Sequence, residues 1–374
     1  MTRKPIALVS VTNDLYTDQR VHKVCNFLHG KGYEVTLIGR KKKDSQKLEA
    51  RNYNTHRIRL LFEKGALFYA FYNIRLFLYL LFHKADILVS NDLDTLLANY
   101  MASKCKRKVK LVYDTHEYFT EVPELINRPK VRAVWLAIEK RIFPKLKFVY
   151  TVNQAIANIY TLKYKVPVRV VRNISPSWST DKLLSKRELS IPENKHLIII
   201  QGAGINIHRG AEEAVEAMQY IDAVLMIVGD GDVVPQLKIR VKELKIEDKV
   251  IFYGKQPYNR MMNYTYYAEI GLTLDRATNQ NYALSLPNKV FDYLHAGTPI
   301  VATPIEAVAN LINQYSIGIV LADLSVTELA ETINQLLSNS DQLAILKNNC
   351  VTAAKIENWE NECRILEKIY TSNE

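Results

Sequence analysis

The chain has 374 residues, 48% of them apolar, and a formal net charge of +11. That length is too great for one ordinary core and suits two domains of roughly 150 to 200 residues each; the chain shows no internal repeat, low-complexity tract or nucleic-acid motif, so nucleic acid is not an expected partner. The charge is uneven: residues 1–172 hold 32 Lys+Arg against 14 Asp+Glu and residues 173–374 hold 18 against 25, so the first half suits an anionic membrane surface or a phosphate-bearing acceptor.

The opening residues Met1-Thr-Arg-Lys-Pro lead directly into a short apolar strand, with no long apolar stretch and no small-residue cleavage site, so a secretory leader is not expected. Strands of the first half are read at Ile6 to Val11, Glu34 to Ile38, Ile87 to Ser90, Leu111 to Tyr113 and Phe148 to Val152. Arg40 to Lys47 reads as a solvated loop, with contact to an anionic surface as the sharper reading. Gly65 to Phe82 is the one segment that suggests a membrane, but Asn73 and Arg75 interrupt it, and it is expected to be a buried or interfacial helix rather than a span.

In the second half strands are read at Leu197 to Gln201, Val224 to Val228, Val250 to Tyr253, Ile270 to Leu274, Ile300 to Ala302 and Ile319 to Leu321. Strands that alternate with helix-period segments predict two doubly wound parallel sheets, joined near Val171 to Ser179 where the periodic pattern lapses. Beyond Leu321 the chain reads as helical, with Asp323 or Ser325 as the cap before Ala330, Ile333, Leu336 and Leu337, and the segment Trp359 to Tyr370 is expected to return to the first domain. The cysteines Cys25, Cys105, Cys350 and Cys363 form no Cys-x-x-Cys pair and have no histidine at ligand spacing, which fits reduced thiols in the cytosol.

Open parallel sheets bind ligands beyond the carboxyl ends of their strands, so the loops there carry the candidate site. After the first strand, Val11 to Arg20 offers Asp18 and Arg20 as polar contacts. Val112 to Glu121 clusters Asp114, His116 and Glu117 past a strand end, where a histidine between two acids is a candidate for function. Gln201 to Ala214 joins a strand to a helix through Gly202, Gly204 and Gly210; Arg209 could grip a phosphate in two-point fashion. Gly229 and Gly231, in the turn Val228-Gly-Asp-Gly-Asp232, and Lys255 follow two further strands and could line a nucleotide base pocket. In Leu284 to Thr303, Pro287 suits the first turn of a helix and Gly297 its end. The free N–H groups near Leu286 and Asn288, with Lys289 in the first turn, would suit a diphosphate; Asp292, about one turn on, could accept ribose hydroxyls. Val290, Phe291 and Leu294 are assigned to the core.

Taken in this order, these regions resemble the GT-B glycosyltransferases, specifically the retaining enzymes of family four, over nearly the whole chain. The most specific parts are Ser285 to Ala302, Val228 to Asp232 and Asp114-Thr-His-Glu117; Val170 to Ile174 is similar to the family's entry into its second domain. The resemblance implies an α/β chain of two facing Rossmann-like domains with a cleft between them. Residues 1–172, joined by a C-terminal helix at about 356–374, would bind the acceptor, and residues 173–355 the nucleotide-sugar donor. It implies that Arg209 neutralises the leaving diphosphate and that His116 contacts the transferring sugar or positions the acceptor. No metal or other cofactor is implied, because basic side chains and a helix N-terminus take that place.

Two positions depart from the family pattern. Leu284 stands where many relatives carry a glutamate eight positions before the match to Asp292, and Thr12-Asn-Asp14 replaces a Gly-Gly loop. The expected activity is transfer of a hexose to a glycan or polyprenyl-linked acceptor in bacterial surface polysaccharide synthesis, in the cytoplasm or peripherally on the inner membrane face. The rivals are a nucleotide-sugar epimerase of the same fold and a non-catalytic nucleotide-sugar-binding protein.

Overall fold

The computed structural model describes residues 3–16 and 18–372, which leaves Met1, Thr2, Thr17, Asn373 and Glu374, and with them the extreme ends of the expected first domain, outside the description. The chain divides into two units, Met1–Asn173 with Cys363–Glu374 and Ile174–Glu362. The second unit therefore keeps residues through Glu362 instead of ending at 355. Trp359 N donates to Ser175 O at 3.3 Å, and the Glu360 carboxylate accepts from Ser177 Oγ at 3.0 Å.

Among the described residues the first unit is built on seven strands: β1 (Ile6–Asp14), β2 (Glu34–Lys41), β3 (Asn54–Arg59), β4 (Ile87–Asn91), β5 (Lys110–Thr115), β6 (Phe148–Thr151) and β7 (Val168–Val170). Their order is β3-β2-β1-β4-β5-β6-β7 and every pairing is parallel. Strands buried on both faces read as continuous apolar runs, as Ala7, Leu8 and Val9 of β1 do. Of the strands not expected from sequence, β3 lies at the sheet edge and buries only Ile58, and β7 is three residues of intermediate or full exposure; neither carries an apolar run. Arg40 and Lys41 end β2 and so are not part of a loop.

The second unit holds β8 (Leu197–Gly202), β9 (Val224–Gly229), β10 (Val250–Phe252), β11 (Ile270–Thr273), β12 (Ile300–Ala302) and β13 (Gly318–Val320). They are parallel in the order β10-β9-β8-β11-β12-β13. The chain reverses its direction of travel across the sheet between β1 and β4 in the first unit and between β8 and β11 in the second. That reversal opens a crevice beyond the carboxyl ends of those strands.

Helix starts follow their caps. Asp18 accepts from Val21 N at 3.1 Å before the helix Gln19–Gly30, and Asn153 accepts from Ile156 N at 2.9 Å. Of the two caps considered before Val326–Ser338, Ser325 serves, accepting from Glu328 N at 3.2 Å; the Asp323 carboxylate accepts from Leu324 N instead. The helix Asn288–Ala296 begins one residue later than its proline suggests: Pro287, at φ −64° and ψ 138°, is its cap, and Gly297 ends it at φ 70°.

The last helix, Trp359–Thr371, buries Leu366, Ile369 and Tyr370, and Tyr370 Oη lies 3.2 Å from Tyr150 Oη within the first unit. Lys110 Nζ donates to the carbonyls of Ile369 and Ser372 at 2.6 Å and of Tyr370 at 3.1 Å, satisfying helix-end acceptors. Tyr370→Ala is therefore expected to cost about 3 kcal/mol in urea denaturation; a loss below about 0.5 kcal/mol would show that the C-terminal segment is not part of the first unit's core.

Candidate functional site

In the first unit the site residues gather where β4 and β5 end. Asn91 and Asp114 are register partners on these strands. Arg20, in the first turn of the helix after β1, reaches Asp114 in a two-point contact: Nε to Oδ2 at 3.0 Å and Nη2 to Oδ1 at 2.8 Å. Its Nη1 donates to Val171 O at 3.0 Å. Arg20 is 4% exposed and Asp114 is fully buried, so Arg20, expected as a polar contact, and Asp114, expected in the functional cluster with His116, lie in the interior as a paired charge and neither presents its charge to solvent. Asp18, expected beside Arg20, is the helix cap already described.

His116 follows at the strand end and is only partly buried. Its Nδ1 is 3.1 Å from Asp92 Oδ2, and its Nε2 is 3.2 Å from both Asp114 Oδ2 and Asn91 Oδ1. Its backbone N donates to Asp92 Oδ1 at 2.8 Å. Burial alone would lower the imidazole pKa, but the two carboxylates outweigh it and raise it to about 9. His116 is thus an imidazolium at neutral pH, donating from both ring nitrogens, and in this arrangement it holds its proton rather than accepting one. Burial raises the Asp114 carboxyl, yet Arg20 and His116 prevail and lower it to about 2. Glu117, the third expected member, offers its carbonyl to Thr115 Oγ1 at 2.9 Å.

Asp92 and Asp94 were not singled out in the sequence, although they stand directly after β4, where the same carboxyl-end rule applies. Asp92 adopts φ 59° and ψ 168°, a region that costs side-chain-bearing residues about 1–3 kcal/mol. It is held there by its own N–H to Asp114 O at 2.8 Å and by the two bonds from His116. Asp94 is buried and accepts from Thr12 Oγ1; the Thr12 to Asp14 segment that departs from the family pattern is not a loop here but the last residues of β1. Burial and the neighbouring Asp92 charge raise its carboxyl to about 7.

In the second unit the loops after β8 and β9 are bonded to one another. Asp230 N donates to Gly202 O and Ile205 N to Asp230 O, both at 3.1 Å, while the Asp232 carboxylate accepts from Ile207 N at 3.1 Å. A Cβ on Gly229 would lie 1.8 Å from Gly202 O and one on Gly231 2.0 Å from Ile205 O, so close backbone packing accounts for both glycines. Gly204, by contrast, has open space around it. Lys255 lies on the exposed turn after β10.

Arg209 and Lys289 converge on Asp275, an acid just past β11 that was also not singled out. Arg209 Nη1 is 2.5 Å from Asp275 Oδ1, and Lys289 Nζ is 3.9 Å from Oδ2. The Arg209 guanidinium stacks over the Tyr282 ring with its carbon 4.3 Å from the centroid. Arg209 Nε and Ser285 Oγ are buried and have no hydrogen-bond partner among the described residues. Burial opposes the charge on Asp275, but Lys289 and Arg209 hold its carboxyl below the usual range; burial, with Arg209, holds Lys289 below its usual value despite Asp275. Two cations share one anion, and beside them the N–H groups of Asn288 and Lys289 open the helix that begins there, so the cluster carries excess positive charge suited to an anionic ligand. Asp292 is buried: its carboxylate accepts from Ser175 Oγ at 2.9 Å, Tyr258 Oη at 3.1 Å and Gln201 Nε2 at 3.2 Å.

Two family models match the sequence, one described as Glycosyltransferase Family 4 over residues 18–174 and one as Glycosyl transferases group 1 over residues 181–355. No curated protein matches it. Among solved structures, a sucrose-phosphate synthase from Thermosynechococcus elongatus aligns at TM-score 0.77 with 17% identity, covering 98% of each chain. WaaG, a glycosyltransferase involved in lipopolysaccharide biosynthesis, aligns at 0.72 with 15% identity, covering 98% of this chain and 100% of its own. Anabaena HepE, solved with UDP and glucose, aligns at 0.74 with 14% identity, covering 98% and 100%. At these identities the likeness is one of fold.

Two outcomes follow from the geometry. The pairing of His116 stabilises the fold fully below its ordinary pKa of 6.5 and is lost as pH rises through about 9, so stability falls by roughly 3 kcal/mol over that window. His116→Gln should flatten this slope in urea denaturation at stepped pH; an unchanged slope would place the titration elsewhere. Gly231→Ala should cost about 2 kcal/mol by forcing the loops apart, and Gly204→Ala should stay within about 0.5 kcal/mol of the parent. Equal losses would contradict the loop packing described.

Proposed function

The chain belongs to the family 4 glycosyltransferases, of GT-B type, and from that premise we propose that it transfers a hexose from a nucleoside-diphosphate sugar, with retention of anomeric configuration, to a lipid-linked glycan. The observation that carries the donor reading is the convergence of Arg209 and Lys289 on Asp275 beside the opening turn of Asn288–Ala296. When the glycosidic C–O bond of the donor breaks, negative charge grows on the departing diphosphate. Two fixed cations and a helix N-terminus meet that charge without reorganising. Arg209 Nε and Ser285 Oγ, buried and unpartnered, are donors of a kind that phosphate oxygens satisfy. The open backbone at Gly204 leaves space for a phosphate to approach. The UDP and glucose named for HepE support a sugar nucleotide as ligand.

On the acceptor side, the imidazolium of His116 supplies a fixed positive charge and oriented donors held by Asp92 and Asp114. Its role in this reading is to orient the acceptor and the transferring sugar, not to remove a proton. The role in lipopolysaccharide biosynthesis named for WaaG supports a bacterial surface glycan as acceptor, and the basic first half suits one carried on an anionic lipid such as a polyprenyl diphosphate. The enzyme would then work in the cytoplasm at the inner face of a bacterial membrane.

A thermal-shift panel of nucleoside diphosphates and their sugar conjugates tests the donor reading. A ligand at a hundred times its dissociation constant stabilises the folded state by about 2.7 kcal/mol. One selective shift is expected, and Arg209→Ala and Lys289→Ala should each weaken that ligand by roughly tenfold or more, since charge-assisted hydrogen bonds contribute about 1.5–3 kcal/mol. Unchanged affinity in both variants would refute the diphosphate site. Conversion of the donor without any acceptor would favour an epimerase, and proton NMR of the product's anomeric signal decides retention.

A further inference from the structure

The helix Gly65–Phe82 has two apolar faces, and the first unit uses only one. Phe68, Tyr72, Leu76 and Leu80 recur every four residues and are buried in a cluster with Leu8 and Ile38 of the sheet, and Tyr72 Oη donates to Val11 O. At 3.6 residues per turn, Leu67, Phe71, Ile74, Leu78 and Phe82 fall on the opposite side. All five are exposed, Ile74 at 57% and Phe82 at 79%. Phe62, with its ring 5.4 Å from that of Phe71, and Leu61 extend this stripe beyond the helix. A helix apolar on all sides is normally covered on all sides, and a stripe of this size marks an interaction surface.

The charge around the stripe identifies the cover. The helix itself, from Gly65 to Phe82, carries no Asp or Glu, and the nearest acids along the chain are Glu63 and Asp86 beyond its two ends. Beside the stripe a pocket of about 490 Å³ is lined by Arg57, Arg59 and Arg75, with His56, Tyr79 and His83 among its walls and Leu78 and Phe82 of the stripe; Arg57 is already paired with Asp14 at 2.8 Å, so the exposed Arg59 and Arg75 carry its open positive charge. The three rings stack, His56 on Tyr79 at 4.3 Å and Tyr79 on His83 at 3.8 Å. Apolar side chains next to clustered arginines are complementary to an anionic lipid leaflet, whose acyl boundary takes the former and whose phosphates take the latter.

We propose that this face docks the protein on an anionic phospholipid surface, with the stripe entering the headgroup–acyl boundary and the arginine pocket receiving lipid phosphates. The helix lies on the membrane and does not span it. Asn73 in its middle donates to Asp94 O at 2.8 Å and accepts from Ala98 N at 3.3 Å, bonds to the neighbouring helix that insertion would break. The proposal draws on the transferase reading only in giving docking a purpose, namely access to a lipid-linked acceptor.

The test is flotation of the full chain with vesicles of phosphatidylglycerol in phosphatidylcholine, without donor or acceptor, so that its outcome is independent of the reaction. Binding to the mixed vesicles, none to pure phosphatidylcholine, and weakening by salt are expected. Ile74→Glu with Leu78→Glu should reduce binding at least tenfold, and Arg59→Glu with Arg75→Glu should do the same, since each basic residue near an anionic leaflet strengthens binding roughly fivefold. Circular dichroism and the nucleotide-induced thermal shift should be unchanged in both variants. Absence of flotation by the folded protein, or equal flotation by the variants, would overturn the proposal. So would self-association abolished by the same substitutions, which would make a second copy the cover, and so would resistance to alkaline carbonate extraction, which would make the helix a span.

Discussion

A carboxylate buried at the end of a parallel strand must be paired, because an isolated charge in the interior costs far more than the fold can supply. Asp114 is such a group in the first unit and Asp275 in the second. Asp114 fixes Arg20 and His116, and through His116 it fixes Asp92 in a backbone conformation that only surrounding bonds sustain. Asp275 draws Arg209 and Lys289 to one point. In both units the strand-end acid sets where the cations stand, and the cations give the loops their electrostatic character.

The two clusters differ in what they leave over. Around Asp114 the charges are nearly matched and largely sealed from water, which suits a group that orients others. Around Asp275 two cations face one anion, and buried donors on Arg209 and Ser285 lack acceptors. Such a cluster has positive charge to spare, and the donor reading proposed above rests on that surplus. The loops that carry it are stiffened by bonds between residues 202–207 and 230–232, so the positive site exists before any ligand arrives.

The helix Gly65–Phe82 follows the same logic with apolar surface in place of charge. One face is satisfied by the sheet beneath it, and the other remains for a partner. Because Asn73 anchors it laterally, the element joins the core to the outer apolar stripe as one rigid piece.

Much of this was legible in the sequence. Eleven of the strands announced themselves as short Val- and Ile-rich runs, because a strand buried on both faces must be apolar throughout. Arg209 and Lys289 were found by their place after strands and at a helix start, and a first-turn lysine, which opposes the helix dipole, calls for either an anion or an acid nearby. The acid's identity was decided only in three dimensions: Asp275 stands 66 residues from Arg209 along the chain, and no local pattern links them. The edge strand β3 escaped notice because solvent covers most of it; Asp92 carried the strand-end signal, but the backbone conformation that aims it at His116 is visible only in the fold. Sequence periodicity records which side chains are buried within one element; the pairing of buried charges joins elements far apart in the chain, and only the folded sheet brings their strand ends together.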